Sequence, residues 1–165
     1  MLALPHPRLM RGALTLALVL ALIPAPAHAD AEIVLFARVS GKCFSADVGS
    51  GAKDTHCFAP ILGSRHLRDS HRVVLDHKVI YRGETTYSTE AGLVVFSYIN
   101  AMGGVGHGNA RPIPGGVAFT GTMRADSHAH PQSMDSRWTW RPDGYEVSDT
   151  DGKPVIYRQA MSAAP

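Results

Sequence analysis

Two aspartate–histidine pairs stand out, because a carboxylate beside an imidazole can orient it, charge it or help it to hold a ligand. Asp54 precedes His56 by two residues, and Asp69 precedes His71 by the same spacing. Gly63-Ser64 lies midway between the pairs, and a two-residue turn there would place His56 opposite His71 on neighbouring strands. Since side chains alternate between the faces of a strand, all four residues would then share one face.

The shared face also carries the larger apolar residues of this segment, including Phe58 and Leu67. Large apolar side chains favour burial, so we expect this face to point into the protein. The sequence therefore predicts a partly polar interior site that contains both histidines and both aspartates.

The next reversal of the chain leaves two alternatives open. A two-residue turn at Asp76-His77 would place Arg82 opposite His71 and Glu84 opposite Asp69, which extends the polar site. A change of one residue in the loop would turn the other face of the strand inward, because a register slip flips every side chain. That face carries Tyr81, Gly83, Thr85 and Tyr87, which would give an aromatic-lined pocket.

The elements that position these residues are predicted to be strands. Short runs rich in Val, Ile, Tyr, Phe, Thr and Trp alternate with turn-forming residues, whereas helical periodicity is sparse and supports at most a short helix within 31–39. We predict strands near 34–46, 53–61, 65–75, 78–88, 92–101, 115–125, 134–141, 145–149 and 154–160. The glycine-rich residues 103–108 are expected to form a barrel corner or a bulge.

These closely spaced strands predict an all-β fold, an antiparallel meander. A meander of this size hides its edge strands best by closing into a small lipocalin-like barrel, and a two-sheet β-sandwich is the alternative.

The first 29 residues have the pattern of a secretory signal peptide. Arg8 and Arg11 precede the apolar run 13–23, and the small-residue triplet Ala27-His28-Ala29 follows. The run is shorter than the roughly 20 residues that span a bilayer. We therefore predict a signal peptide over 1–29, one domain over 30–165, no stable membrane anchor, and export to the periplasm or the extracellular space.

Removal of this segment changes the charge balance. It contains two of the 16 basic residues and none of the 14 acidic ones, so the remainder is neutral. No run of lysine or arginine remains that could neutralise a phosphate backbone. Nucleic acid is therefore not expected as a partner.

The two cysteines are predicted to pair. A hairpin centred on residues 49–51 places Cys43 opposite Cys57, and export to an oxidising compartment favours a disulfide. Their C-x13-C spacing is neither a zinc motif nor a redox C-x-x-C motif, so the bond is expected to be structural.

Several short motifs spread over residues 30–165 resemble a known type of domain. They are Asp54-Thr55-His56-x-Phe58, Arg68-Asp69-x-His71, Tyr81-Arg82-Gly83-Glu84-Thr85-x-Tyr87, Phe96-x-Tyr98-x-Asn100, Gly103-Gly104-Val105, and Trp138 before Asp143-Gly144-Tyr145. In this order they look like secreted bacterial lipocalin-like (calycin-type) barrel domains. The resemblance implies a closed barrel with a central cavity, without an established reaction.

Three functions fit these residues. The interpretation that requires the fewest specific residues is an exported barrel that binds a small apolar or amphipathic ligand, with no cofactor, no metal and no reaction. The predicted ligand-binding residues are His56, His71, Asp54, Asp69, Arg82, Glu84 and Tyr98. The alternatives are acid–base catalysis by the two histidines with their acidic neighbours, and metal or haem binding by the same histidines with His128 and His130. No G-x-S-x-G nucleophile motif is present.

Overall fold

The computed structural model describes residues 34–149 and 152–160. Within them the chain forms a closed antiparallel barrel of ten strands in which each strand pairs with its neighbour in sequence and β1 pairs with β10. The strands are β1 (Cys43–Asp47), β2 (Lys53–Ile61), β3 (His66–Leu75), β4 (Lys78–Glu90), β5 (Leu93–Asn100), β6 (Gly103–Ile113), β7 (Gly116–Asp126), β8 (Gln132–Arg141), β9 (Gly144–Asp149) and β10 (Val155–Gln159). The fold is thus an all-β meander barrel, as predicted, and not a sandwich.

The predicted signal peptide over 1–29 lies outside the described residues. Among the residues that are described, no helix is long and apolar enough to cross a membrane.

Buried and exposed side chains alternate along the strands, and the buried ones form the interior of the barrel. In β5, for example, Val94, Phe96 and Tyr98 are buried, whereas Leu93 and Ile99 are exposed. Repeated around the barrel, this period of two gives an interior packed with aromatic rings. Trp138 stacks on Tyr145 with their ring centroids 4.5 Å apart, and Tyr145 stacks on Tyr157 at 5.1 Å.

The prediction of a strand over 34–46 is wrong for its first half. Residues 34–41 form a short helical segment and tight turns, and β1 begins only at Cys43. Phe36 and Val39 of this segment are 0% and 1% exposed, and the Phe36 ring centroid lies 4.3 Å from that of Tyr87. These turns direct both side chains into the barrel, where they pack against the core of the protein.

The glycine-rich segment is a strand, β6, and not a corner or bulge. Its Gly108 pairs with Phe96 of β5, and a Cβ added at Gly108 would clash with the carbonyl oxygen of Thr120 on β7 and lie 2.8 Å from the Phe96 ring. Glycine is therefore needed here because the backbone of β7 and a neighbouring ring approach closely, and not for a turn. The sequence analysis missed this strand because glycine is generally depleted in strands.

The hairpin between β1 and β2 has the predicted register. Cys43 pairs with Cys57, and the two cysteines form a disulfide. The bond joins β2 to the start of β1, directly after the turns that lead into the barrel.

Replacement of both cysteines by alanine should lower the free energy of unfolding by about 3 kcal/mol, since the disulfide restricts a loop of about 15 residues in the unfolded chain. Urea denaturation measures the loss. The control is Ser45→Ala with Thr55→Ala, a pair on the same ladder. Equal stability of the cysteine variant and the wild type would contradict a stabilising role for the bond.

Candidate functional site

The hairpin of β2 and β3 brings both aspartate–histidine pairs onto one interior face. His56 pairs with His71 across the hairpin, and their ring centroids lie 4.7 Å apart. Asp54 and Asp69 are buried, and the histidine side chains are about 15% exposed. The predicted register is therefore confirmed. The connecting turn differs, because residues 62–65 form a four-residue loop centred on the same point as the predicted two-residue turn.

His56 lies between two carboxylates. Its Nδ1 is 2.7 Å from Oδ2 of Asp69, and its Nε2 is 3.2 Å from Oδ2 of Asp54. The hydroxyl of Tyr157 donates a 2.9 Å hydrogen bond to the same oxygen of Asp54. Strands β2, β3 and β10 thus meet at one polar cluster inside the barrel.

The two carboxylates keep His56 protonated. Burial alone would lower its pKa, but the charge of Asp69 and the hydrogen bonds to both aspartates outweigh burial and raise the pKa to about 10. For Asp54, burial favours the neutral acid, yet the interactions with His56 and His71 hold its pKa well below the usual range. Near neutral pH Asp54 is therefore ionised and His56 is protonated, and the two form a buried ion pair.

A charged His56 with both ring nitrogens engaged is poorly suited to act as a general base near neutral pH. A base in this range needs a pKa near the working pH and a free nitrogen. In this state the cluster can instead orient and charge-stabilise a bound polar group.

A second chain of hydrogen bonds leads away from His71. Its Nε2 lies 3.4 Å from the hydroxyl of Tyr98, which also bonds the hydroxyl of Tyr81. Asn100 donates through Nδ2 to the Tyr81 hydroxyl at 2.8 Å and to the carbonyl of Ala125 at 2.9 Å. Burial and the hydrogen bond with Tyr81 raise the pKa of Tyr98, so it stays a neutral phenol.

A bulge in the hairpin of β3 and β4 decides between the two predicted registers. The turn at Asp76-His77 has two residues, but the register shifts between Val73 and Val74, and Tyr81 therefore pairs with Val73. His71 then faces Gly83, which is the aromatic-pocket alternative.

Arg82 and Glu84 consequently do not join the cluster, and their predicted placement beside His71 and Asp69 is wrong. Both lie on the outer face, because the extra residue in β4 reverses the facing of its side chains. Glu84 instead lies 3.9 Å from Arg68 in a surface ion pair.

A chamber of about 230 Å³ adjoins the polar cluster inside the barrel. Its polar lining comes from His56, His71, Asp69 and Tyr98 with Thr85 and Ser136; its apolar lining comes from Phe96, Phe119, Trp138, Tyr87, Met123 and Met134. A wider outer chamber of about 570 Å³ shares Met123, Met134 and Ser136 with it and extends to His130 and Gly152. The two chambers therefore adjoin at these three residues.

The other histidines of the metal hypothesis lie apart from the cluster. His128 and His130 are exposed in the loop between β7 and β8. The backbone amides of His128 and Ala129 donate to Oδ1 of Asp126, which closes this loop locally.

Sequence reasoning missed Tyr157 and the two chamber methionines. Tyr157 reaches Asp54 only because β10 closes the barrel against β1, a contact between residues 103 positions apart. Met134 pairs with Gly121 and Met123 with Gln132 across β7 and β8, and the alternation of side chains on those strands is the signal that could have placed both methionines inside.

Neither a scan of the chain against protein-family models nor a search of the curated proteins gave a match. The class that the fold defines is a closed ten-stranded antiparallel barrel with a polar cluster in its interior.

Gly83→Ala should displace the ring of His71. A Cβ at this position would lie 2.1 Å from Nε2 of His71 and 2.9 Å from the Tyr98 ring. Overpacking of this kind costs about 1–3 kcal/mol, so we expect that loss in urea denaturation, with shifted imidazole signals in NMR spectra. The control is Gly152→Ala, where the nearest atom is 3.7 Å away. Unchanged stability and imidazole signals in Gly83→Ala would refute the close approach.

Proposed function

We propose that this protein is an exported lipocalin-like barrel that binds, in its inner chamber, a small and mainly apolar molecule carrying a hydroxyl or a protonated amine. The observation that carries the proposal is that the chamber has both a mainly apolar wall and, beside it, a buried hydrogen-bond acceptor. Asp69 lines the chamber, and its Oδ1 is buried without a hydrogen-bond partner among the described residues.

The wall supplies most of the binding free energy in this proposal. Phe96, Phe119 and Trp138 present ring surface to the chamber, and Met123 and Met134 present flexible side chains that adapt to a ligand's shape. Apolar cavities of about 150 Å³ in other proteins take up benzene, so a chamber of about 230 Å³ suits a substituted single ring.

The polar end sets the chemistry of the ligand's head group. A buried acceptor without a partner favours a ligand that carries a hydrogen-bond donor. A hydrogen bond from the ligand would offset the desolvation cost of the unpaired acceptor, which is about 1–3 kcal/mol. The two buried acidic residues of the cluster, Asp54 and Asp69, further favour a neutral or cationic head group over an anionic one. We therefore expect alcohols and amines to bind, and carboxylates of equal size to be rejected.

Export is part of the proposal. It is supported by the signal pattern of residues 1–29 and by the Cys43–Cys57 disulfide, since such bonds persist in oxidising compartments. We place the protein in the periplasm or outside the cell, where a carrier of small molecules would meet its ligand.

Calorimetric titration with three matched compounds tests the proposal. Purified protein treated with a chelator is titrated with 2-phenylethanol, 2-phenylethylamine and 3-phenylpropionate. We expect saturable binding at one site per chain for the alcohol and the amine, and at least tenfold weaker binding of the carboxylate.

A pair of methionine variants locates the binding. Met134→Trp fills the passage between the chambers and should abolish binding, whereas Met102→Trp, at a surface position 54% exposed, should leave it unchanged. Binding that survives Met134→Trp, or no binding of either donor compound, would overturn the proposal.

A further inference from the structure

We propose that Asp54, His56 and His71 form a binding site for one divalent first-row transition metal ion, with Zn²⁺ as the reference ion. One carboxylate oxygen and one nitrogen from each imidazole all lie within 4.8 Å of one another. Two imidazoles and a carboxylate are a common protein donor set for zinc and non-haem iron. This inference goes beyond the ligand proposal and does not depend on it.

The distances suit a single ion. Oδ2 of Asp54 is 3.2 Å from Nε2 of His56, and Oδ1 of Asp54 is 3.6 Å from Nδ1 of His71. Metal–ligand bonds of about 2.0–2.2 Å in a tetrahedral arrangement put neighbouring ligand atoms roughly 3.3–3.6 Å apart. These two contacts use different oxygens of Asp54, and the three donor atoms lie within 4.8 Å of one another, so the side chains must rotate towards a common centre to surround one ion.

Two of the donor atoms lack a close hydrogen bond. Oδ1 of Asp54 and Nδ1 of His71 are both buried, and they face each other at 3.6 Å, which is longer than a normal hydrogen bond. Poorly paired buried polar atoms are costly, so the cluster by itself leaves these two atoms incompletely satisfied. An ion between them would satisfy both, and its charge would offset the two buried carboxylates.

The groups behind the ligands orient them for coordination. Nδ1 of His56 faces Asp69 at 2.7 Å, which leaves Nε2 for the ion. Nε2 of His71 faces the hydroxyl of Tyr98 at 3.4 Å, which leaves Nδ1. Tyr157 donates to Asp54 at 2.9 Å. Such outer partners fix the tautomer and angle of ligating side chains in metal sites. The ion would replace the proton that Nε2 of His56 shares with Asp54.

The site would keep an open position. Three protein ligands leave a fourth position of a tetrahedral ion free, and His56 and His71 both line the inner chamber. The free position would therefore face the space beside the cluster, within reach of water or of a ligand's head group.

Zn²⁺ binding to chelator-treated protein, followed by calorimetry and equilibrium dialysis without any organic ligand, tests the site. We expect one tightly bound Zn²⁺ per chain. His71→Gln should weaken binding at least about 100-fold, and Asp69→Asn, which alters only a group behind a ligand, about 10–100-fold. The control is His128→Ala with His130→Ala, two exposed histidines, and it should bind within threefold of the wild type.

Circular dichroism verifies that each variant is folded. X-ray absorption of the Zn²⁺-loaded wild type gives an answer that needs no variant, and it should show two imidazoles and an oxygen ligand at about 2.0–2.1 Å. The inference is overturned if the wild type binds no stoichiometric Zn²⁺, if binding is lost in the His128/His130 variant instead, or if absorption shows fewer than two imidazoles. Since no organic ligand is present, these results are separate from the outcome for phenylethanol.

Discussion

His56→Leu should lower the free energy of unfolding at pH 7 by about 3–5 kcal/mol, the range found when one partner of a buried ion pair is removed. The substitution leaves Asp54 and Asp69 buried with no cation between them. Urea denaturation measures the loss. His107→Leu replaces an exposed histidine on β6 and should change stability by no more than about 0.5 kcal/mol.

The pH dependence of the free energy of unfolding of His56→Leu distinguishes the effect of the lost charge from that of lost packing. Without His56, the carboxyl group of Asp54 loses a partner that lowers its pKa, while burial still favours its neutral form, so its pKa in the folded state should rise and folding should take up protons. His56→Leu should therefore regain stability as the pH falls from 7 to 5.

In the wild type, His56 and Asp54 should add little stability as the pH falls from 7 to 5. The raised pKa of His56 contributes stability that is fully present below about 6.5, its unfolded value, and is lost as the pH rises through about 10. The lowered pKa of Asp54 contributes stability that is present above its unfolded value of 3.8 and is lost only in stronger acid. A variant whose stability does not change between pH 7 and 5 would contradict an uncompensated carboxylate pair.

Phe36→Ala should cost about 3–5 kcal/mol, the usual range for a fully buried phenylalanine. Its ring is 0% exposed and its centroid lies 5.9 Å from that of Trp138 and 6.1 Å from that of Phe119. Since those two rings also line the inner chamber, the space left by Phe36 should enlarge it. Under the proposed function, the variant should therefore bind larger apolar compounds than the wild type does.

Thermal denaturation and calorimetry measure both effects of this change. Val34→Ala is the matched control, because Val34 belongs to the same segment but is 64% exposed. A Phe36 variant as stable as the control would show that the segment merely lies against the barrel and does not pack its core.

The register of β2 and β3 was predictable because local turn chemistry and the apolar pattern agree. A turn centred on Gly63-Ser64 and the burial of Phe58 and Leu67 both place the histidines inside. The same reasoning placed Cys43 opposite Cys57.

The bulge in β4 was not predictable in this way. Nothing in residues 73–81 distinguishes a regular ladder from one with an extra residue, and the packing of Tyr81 against Tyr98 and Asn100 comes from another strand. One inserted residue decided whether Arg82 or Gly83 faces His71.

Closure of the barrel and the packing of residues 34–41 into it both depend on contacts between residues distant in sequence. Tyr157 reaches the cluster through the pairing of β10 with β1. Phe36 reaches the core because its segment, whose sequence predicts a strand, forms turns instead. Short-range periodicity carries no information about either contact. Both aspartates and both histidines of the polar cluster could thus be derived from sequence, whereas Tyr157 required the closed fold.

NMR of methionine methyl groups during titration with 2-phenylethanol tests the central claim, binding inside the chamber, most directly. Met123 and Met134 line both chambers, whereas Met102 lies exposed on the surface and serves as an internal control. We predict saturable shifts of the Met123 and Met134 signals with a common dissociation constant, and a stationary Met102 signal. Stationary chamber methionines, or equal shifts at all three positions, would contradict a binding site inside the barrel.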